Sequence, residues 1–290
     1  MLENPIWEPS LESLSKSNLT SFQNYINNKH LLNHSNYNDL YQWSISYPSE
    51  FWTSLIEFNG VIFEGSLSPA IKDEMKMPGT HWFPNMKLNF TRNLLKHNNN
   101  NTAIESHRED GTIVEISYKE LNKKVEHCTN YLNSIGISPG DRVAAIMPNI
   151  PESIILMLAS ASLGAIWTSC SPDFGENAIL ERFLQVGPKV LVVSDGYLFK
   201  GQYFSIDHKV SNITKRLNSI ESIISIDFIK QSKLADSRLV KYELLVEDNN
   251  NKIVQLQSFD FNHPLYIMYS SGTTGKPKSI VHSAGGTLVQ

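Results

Sequence analysis

The sequence predicts an α/β fold, a mostly parallel sheet flanked by helices, preceded by an aromatic-rich helical N-terminal extension. Three observations carry this. From Thr102 onward, short apolar runs alternate with amphipathic stretches bounded by Pro, Gly and polar caps. Four of the five tryptophans (Trp7, Trp43, Trp52, Trp82) fall in the first 95 residues. The last apolar run, "LYIMYSSG", enters a loop of Ser, Thr, Gly and Lys, placed where ligands are expected in an open α/β sheet. Strands alternating with helices imply crossovers, and crossovers imply parallel pairing with both faces covered.

The expected division is residues 1–95 as the extension and 96–290 as the main domain. In the extension, "YQWSISYPSEFWTSLIEF" has helical spacing with a break near Pro48. Phe51, Leu55 and Phe58 share a face, with Trp52 and Ile56 beside them. These aromatics read as packing against a larger domain in preference to a ligand box. "MPGTHWFPNMKLNFTRNLL", with Pro78, Gly79 and Pro84, reads as an extended connector. The Asn-rich runs "HNNNNT" (97–102) and "DNNNK" (248–252) read as surface loops.

In the main domain, "TAIES" and "VEISY" read as short paired strands. "SYKELNKKVEHCTNYLNSIG" is a predicted helix, with Ser117 as N-cap, Glu120 three residues on and Gly136 past its end. The strand "DRVAAIM" leads to the helix "NIPESIILMLASASLG", which has Pro151 in its first turn and Gly164 at its end. Then follow the strand "AIWTSC", the loop "SPDFG", the helix "ENAILERFLQVG", the strand "KVLVVSD", the helix "HKVSNITKRLNS" and the strand "IESIISID". No repeat of fixed period is visible.

Composition narrows the function classes. With 25 Lys and Arg against 29 Asp and Glu the formal net charge is −4, and no basic run is present. The electrostatic footprint of a nucleic-acid binder is missing. Cys128 and Cys170 lack CxxC or Cys/His spacing, so they read as two reduced thiols and not as zinc ligands. The start, "MLENPIWEPSLES", is acidic and carries two prolines, unlike a signal peptide or an Arg-rich presequence. The most apolar segment, "IILMLASASLGAIW", falls short of the roughly 20 residues a bilayer span needs. A cytoplasmic protein is expected.

The loop "YSSGTTGKPKSIVHSAGG" has the chemistry of a polyphosphate site. Glycines let the backbone come close, hydroxyls and N–H groups supply donors, and lysines supply charge. It is not a Walker A loop: two residues separate Gly272 from Gly275, and Pro277 follows Lys276. Nor does a GxGxxG open a helix here. The bland alternative is a polar hairpin turn.

"YSSGTTGKPKSIVH" resembles the phosphate-loop signature of the acyl-adenylate-forming (AMP-binding) superfamily over Ser270 to Lys278. Within that superfamily the acetoacetyl-CoA synthetases are the group resembled. The stretches are "NLTSFQNYIN", "YQWSISYPSEFW", "MPGTHWFPNMKLNFTRNLL", "GDRVAAIMPNIPESIILMLASASLGAIWTSCSPDFG" and "VSDGYLFKGQYF", spread over nearly the whole chain. "SCSPDFG" favours this group over the acetyl-CoA synthetases.

The resemblance implies an acid–thiol ligase. A carboxylate attacks the α-phosphate of Mg-ATP, diphosphate leaves, and the CoA thiol then displaces AMP to give acetoacetyl-CoA. It assigns Ser270, Ser271, Gly272, Thr273, Thr274, Gly275, Lys276 and Lys278 to the ATP phosphates, and names ATP, Mg2+, CoA and acetoacetate as cofactor, metal and substrates. His282 lies where the family often has a histidine; a nucleotide-site role and a structural strand-end role both stand. Lys200 falls in a region that carries basic residues near CoA in acetyl-CoA synthetases. Gln202 stands where a cation is usual there, and an exposed, solvated Lys200 is the preferred reading.

The resemblance also implies that the chain covers an N-terminal portion, an incomplete adenylate-forming domain without the C-terminal mobile domain. The adenosine site, acid pocket, metal-binding glutamate and adenylation lysine have no match, so no catalytic or metal residue is assigned. The expectation is that the polypeptide alone forms no thioester. The alternatives are a non-catalytic fragment or partner of a full-length or split synthetase, with a complementing C-terminal chain, a standalone nucleotide-binding module, or a ligase of acetate or another short acid.

Overall fold

The computed structural model describes residues 6–247, 254–270 and 275–290. The chain forms two compact units, Met1–Met86 and Lys87–Leu288, the last two residues apart.

The first unit holds α1 (Leu11–Ser15), α2 (Asn18–His30), α3 (Tyr37–Ser46) and α4 (Pro48–Phe58). Short strands β1 (Glu64–Gly65), β2 (Ile71–Lys72) and β3 (His81–Trp82) follow, the last two pairing antiparallel. The predicted aromatic helix is thus two helices. Pro48 sits at the first position of α4, where its missing N–H costs nothing, and it bars Tyr47 from helical geometry. The aromatics build a core within this unit: Phe22, Ile26, Leu40 and Trp43 are buried, with Phe51, Leu55 and Phe58 packed against them. Phe22 meets Phe51 edge-on at 5.8 Å and Phe58 at 5.3 Å. Such contacts contribute about 0.5–1.5 kcal/mol each beyond area burial. His30 Nε2 lies 2.8 Å from Ser54 Oγ and ties α2 to α4.

The second unit opens with β4 (Met86–Leu88) and α5 (Phe90–Leu94). The reading of this stretch as an extended connector is corrected at its end: Phe90–Leu94 is helical because the Asn89 side chain caps α5, accepting from the Arg92 N–H at 3.1 Å. The antiparallel ribbon β5 (Thr102–His107) and β6 (Ile113–Ser117) comes next, as predicted. Then run α6 (Tyr118–Ser134), β7 (Arg142–Ile146), α7 (Pro151–Ser162), β8 (Ile166–Cys170), α8 (Glu176–Val186) and β9 (Val190–Ser194). The predicted capping box at Ser117 and Glu120 is formed.

A hairpin absent from the sequence reading, β10 (Gly196–Phe199) and β11 (Gln202–Ser205), precedes α9 (Asp207–Arg216). Next come β12 (Ser222–Ile226), β13 (Leu239–Lys241) and α10 (Tyr242–Glu247). The run "DNNNK" lies outside the described residues. The chain continues through β14 (Phe259–Asp260), β15 (Pro264–Ser270), β16 (Lys278–Ser283) and α11 (Ala284–Val289).

Seven strands form one sheet in the order β13-β12-β9-β7-β8-β15-β16. All pairings in it are parallel except that of β15 with the edge strand β16. One face packs on α8 and α9, where Phe183, Ile179, Val210 and Ile213 meet Ala144, Ile146, Leu191 and Ile223. The alternate positions Val143, Ala145, Val192 and Ile224 are buried on the other face, where α6, α7 and α10 pack together. Burial on both faces accounts for the near-continuous apolar strands in the sequence.

The amino edge of the sheet is stitched together. The Arg142 guanidinium donates to the carbonyls of Gly140, Val186 and Gly187 at 2.7–2.9 Å. Lys189 Nζ donates to the Asp141 carboxylate at 2.9 Å. At the carboxyl end of β9, Asp195 is 2% exposed, and its carboxylate accepts the N–H groups of Phe228, Ile229 and Gln231, each at 2.8 Å. Gly196 beside it is required by close approach: a Cβ there would lie 2.3 Å from the Phe204 carbonyl oxygen and 2.5 Å from Ile229 Cδ1. Cys128 and Cys170 are buried free thiols. Among the described residues no helix is long and apolar enough to cross a membrane.

Candidate phosphate-binding site

Because β7, β8, β9 and β15 run parallel, their carboxyl ends share one edge. The loops 147–150 and 171–175, the β10–β11 hairpin and the loop joining β15 to β16 all leave from it. In open α/β sheets this is the edge that takes ligands.

The loop of interest joins an antiparallel pair. Ser271, Gly272, Thr273 and Thr274 lie outside the described residues. Of the remaining predicted residues, Ser270 ends β15 and Lys278 begins β16, directly opposite each other in the register. Opposed residues project to the same face, so the Ser270 hydroxyl and the Lys278 ammonium share one side of the hairpin. Gly275 has φ +83°, a conformation that an L side chain rarely adopts, which explains glycine at this point of the turn. Lys276 and Lys278 are exposed, whereas Pro277 between them is buried.

His282 stands apart from this mouth. His282 is opposite Tyr266, ring centroids 5.0 Å apart, on the same face as Lys278 but four residues farther along β16. At about 3.3 Å per residue that is ~13 Å from it. Lys200 occupies the tip of the β10–β11 hairpin with φ +51°, exposed, its Nζ 5.2 Å from the centre of the Phe199 ring.

The supports of the loop were not legible as site residues. Tyr269 turns toward the α8 side, where its phenol lies 2.9 Å from Thr168 Oγ1, and Thr168 also donates to the Ile267 carbonyl at 3.0 Å. Burial pushes the Tyr269 phenol up to about 12, so it stays neutral at physiological pH. The Arg182 guanidinium lies between two rings, 5.1 Å from the centre of Phe174 and 5.6 Å from that of Tyr269. Gln185 binds the returning arm of the loop. Its Nε2 donates to the Pro277 carbonyl at 3.1 Å, and its Oε1 accepts from Ser279 Oγ at 2.9 Å. Lys209 Nζ donates to the carbonyls of Pro172 and Phe174 at 2.6 and 2.7 Å, holding the neighbouring "SPDFG" loop. Burial lowers the Lys209 pKa. Only the apolar-strand-to-loop pattern hinted at this neighbourhood; "ENAILERFLQVG" reads as a helix with no site residue assigned to it.

Chemically, the mouth offers a hydroxyl and two exposed cations to an anion arriving at the carboxyl edge. Among the described residues no group of three or more His, Cys, Asp or Glu side chains could hold a metal ion.

Comparisons with known proteins agree with this architecture. Residues 90–290 match the family described as AMP-binding enzyme, and residues 37–94 match the acetyl-coenzyme A synthetase N-terminus. The acetoacetyl-coenzyme A synthetase of Rhizobium meliloti (strain 1021) is 38% identical over 99% of this chain and 44% of its own length. A malonamoyl-CoA synthetase of Penicillium aethiopicum is 30% identical over 99% of this chain and 42% of its own. The solved acetoacetyl-CoA synthetase from Streptomyces lividans superposes with a TM-score of 0.92 at 32% identity, covering 99% of this chain and 44% of that one. The chain thus spans under half the length of these relatives. Its AMP-binding match covers well over half of its residues, and the chain belongs to the AMP-binding enzyme family.

Proposed function

We propose that this chain supplies the ATP-phosphate grip of an acetoacetate–CoA ligase. The carrying observation is the pairing of Ser270 with Lys278 at the mouth of a Ser/Thr/Gly loop, on the ligand-bearing edge of the sheet. Ser270, Ser271, Gly272, Thr273, Thr274 and Gly275 supply hydroxyl and backbone donors to the phosphates. Lys276 and Lys278 neutralise charge as diphosphate departs, so the contribution is positioning and electrostatics. Acetoacetate, ATP with Mg2+, and CoA are the proposed reactants, supported by the relatives named acetoacetyl-CoA synthetase. The malonamoyl-CoA synthetase relative supports a view in which this portion serves more than one acid.

The 290 residues are expected to bind polyphosphate through this loop. Calorimetric titration with pyrophosphate tests this. Exposed ion contacts contribute about 0.2–1 kcal/mol each, so the double substitution Lys276→Ala with Lys278→Ala should weaken binding roughly two- to thirtyfold and flatten its salt dependence. Unchanged affinity in the double variant would overturn the assignment.

A further inference from the structure

Arg182 and Gln185 stand three residues apart on one face of α8, and both reach the β15–β16 hairpin. Gln185 grips the two residues that flank Lys278. Pro277 has no N–H, so its carbonyl is its one backbone hydrogen-bonding group, and the Gln185 amide donates to it. On the other flank the Ser279 hydroxyl donates to the oxygen of the same amide. A further donation from Nε2 to the Glu181 carbonyl at 2.8 Å fixes which end of the amide is which.

Side chains alternate along a strand. The Ser279 hydroxyl is held toward α8, so the Lys278 side chain next to it projects to the other face, the one it shares with Ser270. We propose that Gln185 is a positioning residue for the phosphate loop: its amide clamps Pro277 and Ser279 and thereby presents Lys278 at the mouth in one orientation. Arg182, layered between Phe174 and Tyr269, braces the outgoing strand in the same way, so α8 holds both arms. The proposal rests on the reading of this loop as a phosphate grip and assigns it a support that touches no phosphate.

The test uses the 290-residue chain with Gln185→Met, which keeps side-chain length and helix propensity but removes the hydrogen bonds. Gln185→Glu keeps the acceptor for Ser279 and loses the donor to Pro277. Ser279→Ala opens the clamp from the other side. Hydrogen exchange is read at the amides of residues 276 and 278–280, and affinity is read with inorganic pyrophosphate. Gln185→Met should speed exchange there and weaken pyrophosphate binding, each by about three- to tenfold, the effect of one net hydrogen bond. Gln185→Glu should fall between, and Ser279→Ala should add little in the Gln185→Met background. Exchange unchanged in Gln185→Met overturns the clamp, even if the wild-type chain binds pyrophosphate well. Faster exchange with unchanged affinity overturns the positioning role and leaves the phosphate reading intact. A wild-type chain that binds no pyrophosphate while exchange responds overturns the phosphate reading, and the positioning role with it.

Discussion

Replacing Asp195 by asparagine removes one oxygen from a carboxylate that holds three backbone N–H groups. Asparagine can keep its carbonyl oxygen on the side of Phe228 and Ile229, both bound by Oδ1, but its amide then faces the Gln231 N–H, donor against donor. Hydrogen bonds to charged groups contribute about 1.5–3 kcal/mol each. One lost bond at about 2 kcal/mol, and two survivors reduced to neutral strength at about 1 kcal/mol each, sum to about 4 kcal/mol. Gln231 is exposed and its N–H regains water, which trims the cost to about 3 kcal/mol. That is a large share of the 5–15 kcal/mol that typical domains possess. Urea unfolding of the full chain should show a lower midpoint with an unchanged slope, and exchange at residues 228–231 should accelerate before the sheet opens. A loss under about 1 kcal/mol would refute the account, because the three bonds would then contribute little more than water does.

Two further outcomes concern titration. Burial pushes the thiols of Cys128 and Cys170 up to about 12, so both stay protonated at pH 8 and should ignore Ellman's reagent until the chain is unfolded; rapid native-state labelling of either would contradict this. In the first unit, burial, followed by the charge of Lys29, lowers the His30 pKa, opposed by Glu50 and Glu57. The unfolded chain therefore takes up a proton first as pH falls below about 6.5, and stability is lost from there toward the lower folded pKa. His30→Gln should flatten that part of the pH profile of chemical unfolding, and an unchanged profile would exclude His30 as its source.

Legibility followed the range of the forces. Local signals held: the Ser117–Glu120 box and Pro151 announced α6 and α7 because capping depends on neighbours in sequence. The β10–β11 hairpin is not announced by the sequence because its turn is Lys200–Gly201, with a lysine at φ +51° where Asn or Asp is the usual signal. Two aromatic-rich runs either side of that Lys-Gly pair were the available clue. Helix α5 was hidden by the prolines preceding it, although Asn89 is a plain N-cap. For the site, the loop string was readable from residue types alone. Gln185 and Arg182 were not, because their role follows from β15 lying beside β8, a long-range pairing that α8 does not announce.

The Arg142 stitch has a consequence for how such a protein can change. Three carbonyls from two separate turns converge on a single guanidinium, and Lys189 with Asp141 closes the same end. Strand alignment is thus anchored at the end remote from the loop joining β15 to β16. Changes of loop length at the carboxyl edge leave these bonds untouched, whereas one substitution at Arg142 removes three of them together.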